Sequence, residues 1–351
     1  MPRSFQTILI PALMVLAAAS PRAAAQPAAE QPLVIAHRGA SGYRPEHTLA
    51  SYTLGFDMGA DCVEPDLVMT KDGALVTRHE PEIGLTTDVA TKFPDRKTRK
   101  PVDGKEIEGW FTDDFTLAEI KTLRAIQPRN TRASAWDGLH EVPTLQEVID
   151  LVKRKNAETG RQVCIYPETK HPTYFAEKGL DINKALVVVL NANGLTEATS
   201  PVIVQSFEVG NLKQLATLTK VRLVQLFDNV TARPHDLVKA GDPRTYKDLM
   251  APAELKQLAT YAYGIGPWKR TILPEDANGV LQPATTLIED AHAAGLKVHP
   301  YTFRDDPSFL VKAYDNDPVA EYHQFFKLGV DGLFTDFPDT ALRARSTLVS
   351  Q

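Results

Sequence analysis

Cysteine is nearly missing from this sequence, with two in 351 residues. A scaffold built on disulfides is excluded, and a chain this long buries enough apolar surface to do without one. A positive surplus is missing too. With 39 Lys+Arg against 44 Asp+Glu the formal net charge is −5. That excludes a general nucleic-acid binder, which needs basic excess to neutralise phosphates. Beyond the first residues no apolar run reaches the ~20 residues a membrane span takes. The signature of disorder is also lacking: 43% of residues are hydrophobic and 24% charged, the balance of a globular chain. The length permits one large domain or two ordinary ones.

The N-terminus has the plan of a secretory leader. Arg3 and the amino terminus are positive, Ile8 to Leu16 are apolar, and Ala23-Ala24-Ala25 offers a small-x-small cleavage site. Residues 1–25 are expected to be a signal peptide and 26–351 the working domain. An uncleaved anchor is the alternative. No cysteine lies near the cleavage site to carry a lipid. The expectation is a chain exported to the periplasm or beyond, with no stable membrane anchor.

The remainder alternates between two patterns. β-rich runs recur at Leu33–Ala36, Cys62–Asp66, Val163–Tyr166, Val202–Gln205, Arg222–Phe227, Tyr261–Ile265, Lys297–Tyr301 and Gly332–Thr335. Helical periodicity fills most of the gaps. Thr144-Leu145-Gln146-Glu147 has capping-box spacing and opens an amphipathic run to Lys155. The runs Thr285–Ala294 and Pro318–Leu328 each stop at a glycine, Gly295 and Gly329. Alternating strands and helices imply parallel pairing. Eight such strands predict an α/β fold, a closed (β/α)8 TIM-type barrel; a doubly wound open sheet is the alternative.

Two stretches depart from the alternation. Only Lys71-Asp72-Gly73 separates Glu64–Thr70 from the strand-like Ala74–His79. A parallel crossover needs a dozen or more residues, whereas Asp-Gly is a hairpin signal. Ala74–His79 is therefore expected to fold back antiparallel, bringing His79 opposite Pro65 and Asp66. The second departure is a long, turn-rich insertion at about 85–142, expected to be a small subdomain with a short helix within Phe115–Leu123. It either caps the site or is a solvated excursion. Its basic cluster (Lys92, Arg96, Lys97, Arg99 and Lys100) reads as solvated surface.

Function in a parallel barrel collects at the carboxyl ends of strands. The first strand ends in His37-Arg38-Gly39, and the second carries Glu64-Pro65-Asp66. Strand residues two apart share a face, so both carboxylates point one way. Glu168 and Lys170 repeat that spacing after the third strand. Two carboxylates about 5 Å apart repel by roughly 3 kcal/mol at an effective dielectric of ~20. Three together need protons, cationic partners or a metal. An ion-pair network with Arg38 and Lys170 is one solution. A hard divalent cation, Ca²⁺ or Mg²⁺, is the other, because the ligands are all oxygen. His37 and His79 favour chemistry. Phosphodiester cleavage needs a base for the attacking oxygen and an acid for the leaving alcohol, and imidazole serves both near neutral pH. Arg38 and Lys170 would then hold phosphate oxygens. Phe207, Trp268 and Tyr301, at or after strand ends, could face the substrate or pack the barrel. Gly264-Ile265-Gly266-Pro267 lacks the third glycine of a dinucleotide loop and reads as a turn.

At these residues the chain resembles the glycerophosphodiester phosphodiesterase family. The likeness runs through Ile35-Ala36-His37-Arg38-Gly39-Ala40-Ser41-Gly42, Arg44-Pro45-Glu46-His47-Thr48-Leu49, Glu64 to Gly73, His79, Tyr166-Pro167-Glu168-Thr169-Lys170, Val298 to Arg304 and Asp331 to Asp339. It covers nearly all of 26–351 and is greatest to the secreted, periplasmic branch. The resemblance implies a barrel with a metal on Glu64, Asp66 and Glu168 and with His37 and His79 as the acid/base pair. It implies Ca²⁺ dependence, with Mg²⁺ in other members. The reaction implied turns small-molecule glycerophosphodiesters and water into sn-glycerol 3-phosphate and an alcohol. Two positions depart from the pattern: Pro65 stands between the two carboxylates, and His47 stands where the family usually has Asn. A lysophospholipase D acting on another headgroup is an alternative within the same chemistry. A catalytically dead binding protein would show damage at His37, His79, Glu64, Asp66 or Glu168, and none is damaged.

Cys62 shares the strand parity of Glu64, and Cys164 that of Glu168. Both are expected inside the barrel and in contact below the carboxylates. Two free buried thiols are the default and a disulfide the alternative, which an exported chain permits.

Overall fold

The computed structural model describes residues 1, 2, 4 and 31–348. The chain divides into units of residues 1–31 and 32–351, and the described strands and helices all belong to the second. The expected signal peptide lies almost wholly outside the described residues. Among the described residues, no helix is long and apolar enough to cross a membrane.

The strands are β1 (Leu33–His37), β2 (Cys62–Glu64), β3 (Asp66–Met69), β4 (Leu75–Thr77), β5 (Thr98–Val102), β6 (Lys105–Gly109), β7 (Cys164–Ile165), β8 (Glu168–Thr169), β9 (Ile203–Ser206), β10 (Arg222–Phe227), β11 (Gly264–Pro267), β12 (Lys297–Val298) and β13 (Gly332–Thr335). They form ladders in the orders β13-β1-β2-β7 and β12-β11-β10-β9-β8-β3-β4, with β5-β6 apart. The split between the two large ladders has a covalent cause. Pro65 interrupts one barrel strand between β2 and β3, and Pro167 interrupts the next between β7 and β8. Proline has no N–H to give a ladder. The pairing continues past both breaks, for Tyr166 N donates to Val63 O at 2.9 Å and Glu168 N to Pro65 O at 3.0 Å. The ring closes where Phe303 N donates to Phe334 O at 2.8 Å and Asp336 N to Phe303 O at 3.1 Å. The fold is thus the expected (β/α)8 barrel and not an open sheet.

Helices sit outside, where apolar stripes meet the barrel wall. The helix Leu145–Thr159 opens with the full capping box of Thr144 and Glu147 and buries Leu145, Val148, Ile149, Leu151 and Val152. It runs one turn beyond Lys155. The helices Leu287–Ala293 and Pro318–Lys327 stop just before Gly295 (φ 83°) and Gly329 (φ 91°), where a left-handed residue ends the helix without a Cβ clash.

The hairpin forms as expected. β3 and β4 pair antiparallel with Leu67 opposite Thr77, and Arg78 N donates to Asp66 O at 3.1 Å. The insertion carries the hairpin β5-β6 and a one-turn helix, Leu117–Ile120. Its Val102, Phe111 and Phe115 join the core that also holds Val68 and Met69 of β3, so it is packed onto the barrel.

Two expectations are corrected. Gly264-Ile265-Gly266-Pro267 is strand β11 and not a turn. A Cβ on Gly266 would meet Leu226 Cδ2 at 2.5 Å, and one on Gly264 would meet Lys297 O at 2.6 Å. These glycines let β10, β11 and β12 approach, and the strand expected at Tyr261–Ile265 moves forward accordingly. The default of two free thiols is also overturned. Cys62 and Cys164 are register partners on adjacent parallel strands, their Cα atoms are 4.4 Å apart, and they form a disulfide.

Candidate active site

A cavity of about 570 Å³ opens at the carboxyl ends of the barrel strands. Of the ten predicted site residues, His37, Arg38, Glu64, His79, Glu168, Phe207, Trp268 and Tyr301 line it. Asp66 and Lys170 lie behind that wall. No residue of 85–142 lines it; the outer wall comes from Arg304 and the loop Ser308 to Lys312. The insertion does not cap this cavity.

The acidic centre comes from strand alternation. Glu64 ends β2, Asp66 opens β3 and Glu168 opens β8, and all three side chains are buried. Each offers a carboxylate oxygen, and these atoms all lie within 4.8 Å of one another. Such crowding has a cost. Burial, reinforced by Asp66 and Glu168, pushes the Glu64 carboxyl well above the usual carboxylate range. Burial lifts Glu168 to about 8 against the pull of Lys170. Asp66 goes the other way: burial opposes it, but His47, Lys170 and His79 hold it well below that range. Buried, crowded carboxyls of this kind are relieved by a hard cation bound through oxygen. The three residues fit one divalent ion.

His47 is the nearest partner of Asp66. Fully buried, it donates Nε2–H to Asp66 Oδ2 at 2.9 Å, and its Nδ1 lies 2.8 Å from the Tyr52 hydroxyl. Its left-handed backbone (φ 57°) suits histidine better than a β-branched residue. The residue beside it, Glu46, pairs with Arg38 Nη1 at 3.0 Å. Arg38 also has φ 58°, a conformation that costs about 1–3 kcal/mol for a non-glycine residue. That turn sends its backbone N–H to Glu64 Oε2 at 2.7 Å and its Nε to within 3.4 Å of Asp66 Oδ2.

The two imidazoles line the same cavity as Glu64 and Glu168, and both are held by Nδ1. His37 Nδ1 donates to Asp336 Oδ1 at 2.6 Å. His79 Nδ1 is 2.9 Å from Glu80 Oε1. A carboxylate on Nδ1 fixes the tautomer and leaves the lone pair on Nε2. Burial and the neighbouring Arg38 pull the His37 imidazole down to about 4, against Asp336. Burial, Arg38 and Lys170 do the same to His79. Both are therefore neutral at pH 7, able to take a proton. Lys170 Nζ sits 3.0 Å from Glu168 Oε1, donates to His79 Nε2 at 3.3 Å and lies 5.4 Å from the centre of the Phe207 ring. Phe207 and Tyr301 meet edge to face at 5.9 Å. The Tyr301 hydroxyl donates to Phe227 O at 3.0 Å, so only its ring is left to face a ligand.

Sequence reasoning gave no role to two groups that the structure brings into the site. Gln205 lies in register with Glu168 and donates Nε2–H to Glu64 Oε1 at 3.3 Å; its place at a strand end was the available signal. Asp336 follows β13, and its Oδ2 also accepts from Arg304 Nε at 2.9 Å and Arg132 Nη2 at 2.6 Å. The aspartate stood in a recognisable motif, but nothing local revealed its partners.

Comparison with known proteins bears on this geometry. The model of the glycerophosphoryl diester phosphodiesterase family matches residues 37–340. A glycerophosphodiester phosphodiesterase of Arabidopsis thaliana is 37% identical over 322 residues, covering 88% of this chain and 84% of its own. One from Haemophilus influenzae is 33% identical, covering 88% of each. Among solved structures, an Oleispira antarctica phosphodiesterase in complex with the product sn-glycerol-3-phosphate superposes with a TM-score of 0.60 at 23% identity, over 90% of this chain and 97% of that one. A glycerophosphodiester phosphodiesterase from Agrobacterium tumefaciens does so with a TM-score of 0.57 at 18% identity, over 89% and 99%. These two show the fold; the family model and the curated relatives show the rest. The chain belongs to the glycerophosphoryl diester phosphodiesterase family and is an enzyme that hydrolyses glycerophosphodiesters.

Proposed function

We propose that the reaction yields sn-glycerol 3-phosphate and an alcohol, requires a divalent cation, and uses His37 and His79 as its acid/base pair. One observation carries this reading: three buried carboxylates converge within 4.8 Å at a cavity also lined by two imidazoles whose Nδ1 atoms are already held by acids. Glu64, Asp66 and Glu168 would hold the cation, with Ca²⁺ favoured and Mg²⁺ the alternative. When bound, it supplies charge neutralisation at the phosphoryl oxygens.

The protein's own groups move the protons. One imidazole Nε2 takes the proton of the oxygen that attacks phosphorus; the imidazole that serves as acid must first take a proton at Nε2 from solvent, and gives that proton to the departing alkoxide. Arg38, held by Glu46, directs cationic charge into the cavity towards a non-bridging oxygen. Lys170 neutralises Glu168 and steadies His79. Phe207, Trp268 and Tyr301 give the substrate an apolar wall. The relative from Oleispira antarctica, whose structure contains sn-glycerol-3-phosphate, supports the product assignment.

The leader-like N-terminus supports export to the periplasm, and the Cys62–Cys164 disulfide suits an oxidising compartment. N-terminal sequencing of the exported protein should begin at residue 26. The activity is tested by coupled detection of glycerol 3-phosphate released from glycerophosphocholine. Chelation should abolish release and added Ca²⁺ restore it; undiminished release in chelator would refute the cation requirement.

A further inference from the structure

We propose that the insertion at 85–142 positions both active-site imidazoles from behind, through Arg132 acting on Asp336 and His37, and through Asp103 acting on His171, Glu80 and His79. The inference rests on the acid/base reading above and assigns the insertion a task within it.

The first arm is a buried clasp. Arg132 has 4% of its side chain exposed and makes a fork on Asp306, Nε to Oδ1 at 3.0 Å and Nη2 to Oδ2 at 2.7 Å. The same Nη2 reaches Asp336 Oδ2 at 2.6 Å, and Nη1 donates to Ser41 O at 3.1 Å. Asp336 gives its other oxygen to His37 Nδ1. Ser41 in turn donates its hydroxyl to His37 O at 2.9 Å. This guanidinium thus holds the loop that carries the imidazole's backbone and, together with Arg304 Nε, the carboxylate that aims the ring. The fork on Asp306 fixes the guanidinium itself in plane, which keeps Nη2 aimed at Asp336.

The second arm is a relay of the opposite kind. Asp103 occupies the tip of the β5-β6 hairpin in a left-handed conformation (φ 48°) followed by Gly104 (φ 78°). Its Oδ2 accepts from His171 Nδ1 at 2.7 Å, His171 Nε2 reaches Glu80 Oε2 at 2.9 Å, and Glu80 Oε1 holds His79 Nδ1 at 2.9 Å. His171 is also left-handed (φ 46°), which turns its ring between the two acids. Those acids hold it as an imidazolium at neutral pH. No insertion residue lines the cavity, so neither Arg132 nor Asp103 is placed to touch substrate. They are positioning residues.

The test uses the full chain with Ca²⁺ and glycerophosphocholine. Arg132→Gln and Asp103→Asn should each lower kcat by about 10–100-fold, the usual effect of losing an outer hydrogen-bond partner, with KM changed less than about twofold. Arg132→Lys should recover part of the loss. In a His37→Ala background Arg132→Gln should cost nothing further, and in a His79→Ala background the same should hold for Asp103→Asn. Normal kcat in either folded single variant, or a loss confined to KM, overturns the proposal. Should Arg132→Gln not fold, Arg132→Met, which keeps an apolar stem without the charge, and Asp103→Asn decide on the same criterion. If His37→Ala or His79→Ala is itself fully active, the acid/base reading fails; if both are inactive while the insertion variants are normal, only the insertion's positioning role fails.

Discussion

His171 gives a stability prediction whose size and sign both follow from its surroundings. Its ring lies between Asp103 and Glu80, with 16% of the side chain exposed. Burial would lower its pKa, but the hydrogen bonds and charges of the two acids outweigh that and raise it to about 9. The unfolded value is ~6.5. Since the folded state holds the proton more tightly, the contribution is fully present below pH ~6.5 and is lost as pH rises through about 9. At ~1.36 kcal/mol per pH unit it amounts to about 3 kcal/mol. His171→Asn removes the imidazolium while keeping a residue that tolerates φ > 0. Urea unfolding of both proteins, disulfide intact, should show the variant less stable by about 3 kcal/mol at pH 6. The gap should narrow steadily to a small residue by pH 9.5. A gap that stays constant or widens with pH would show that His171 is not the charged bridge described.

Three further outcomes are expected. His37→Ala and His79→Ala should each lower kcat by about 10²–10⁴-fold with unchanged circular dichroism; full turnover in either removes its acid/base role. Ca²⁺ at a hundredfold excess over its Kd should stabilise the enzyme by about 2.7 kcal/mol in thermal melts, and Glu64→Gln, Asp66→Asn or Glu168→Gln should remove the response. The Cys62–Cys164 bond closes a loop of sequence separation 102, so Cys164→Ala should cost about 2–5 kcal/mol in urea unfolding; an unchanged midpoint would contradict the bond's contribution.

Much of this site was legible in sequence because its chemistry follows strand periodicity. The two-residue spacing of Glu64 and Asp66 set their common direction, and the short turn at Asp72-Gly73 delivered His79 to them. The Thr144 capping box and Gly295 and Gly329 marked helix ends by local backbone rules. What escaped depends on distance in space. Arg132 and Asp336 are 204 residues apart in sequence, and no local pattern announces a guanidinium that crosses from a loop to a strand end. The insertion's part was hidden for the same reason, since Asp103 reaches His79 only through two intermediaries. Gly264 and Gly266 were misread because glycine's turn preference is local, whereas here their use is to admit neighbouring strands. The cysteines had the right parity, but a bond also requires register, and only the pairing of Cys62 with Cys164 supplies it.

The most direct measurement is anomalous scattering from a crystal of the enzyme grown with Ca²⁺ and sn-glycerol 3-phosphate. The prediction is one ion within about 2.3–2.6 Å of oxygens from Glu64, Asp66 and Glu168, with the phosphate between the Nε2 atoms of His37 and His79. An ion bound elsewhere, or a phosphate out of reach of both imidazoles, would contradict the central claim.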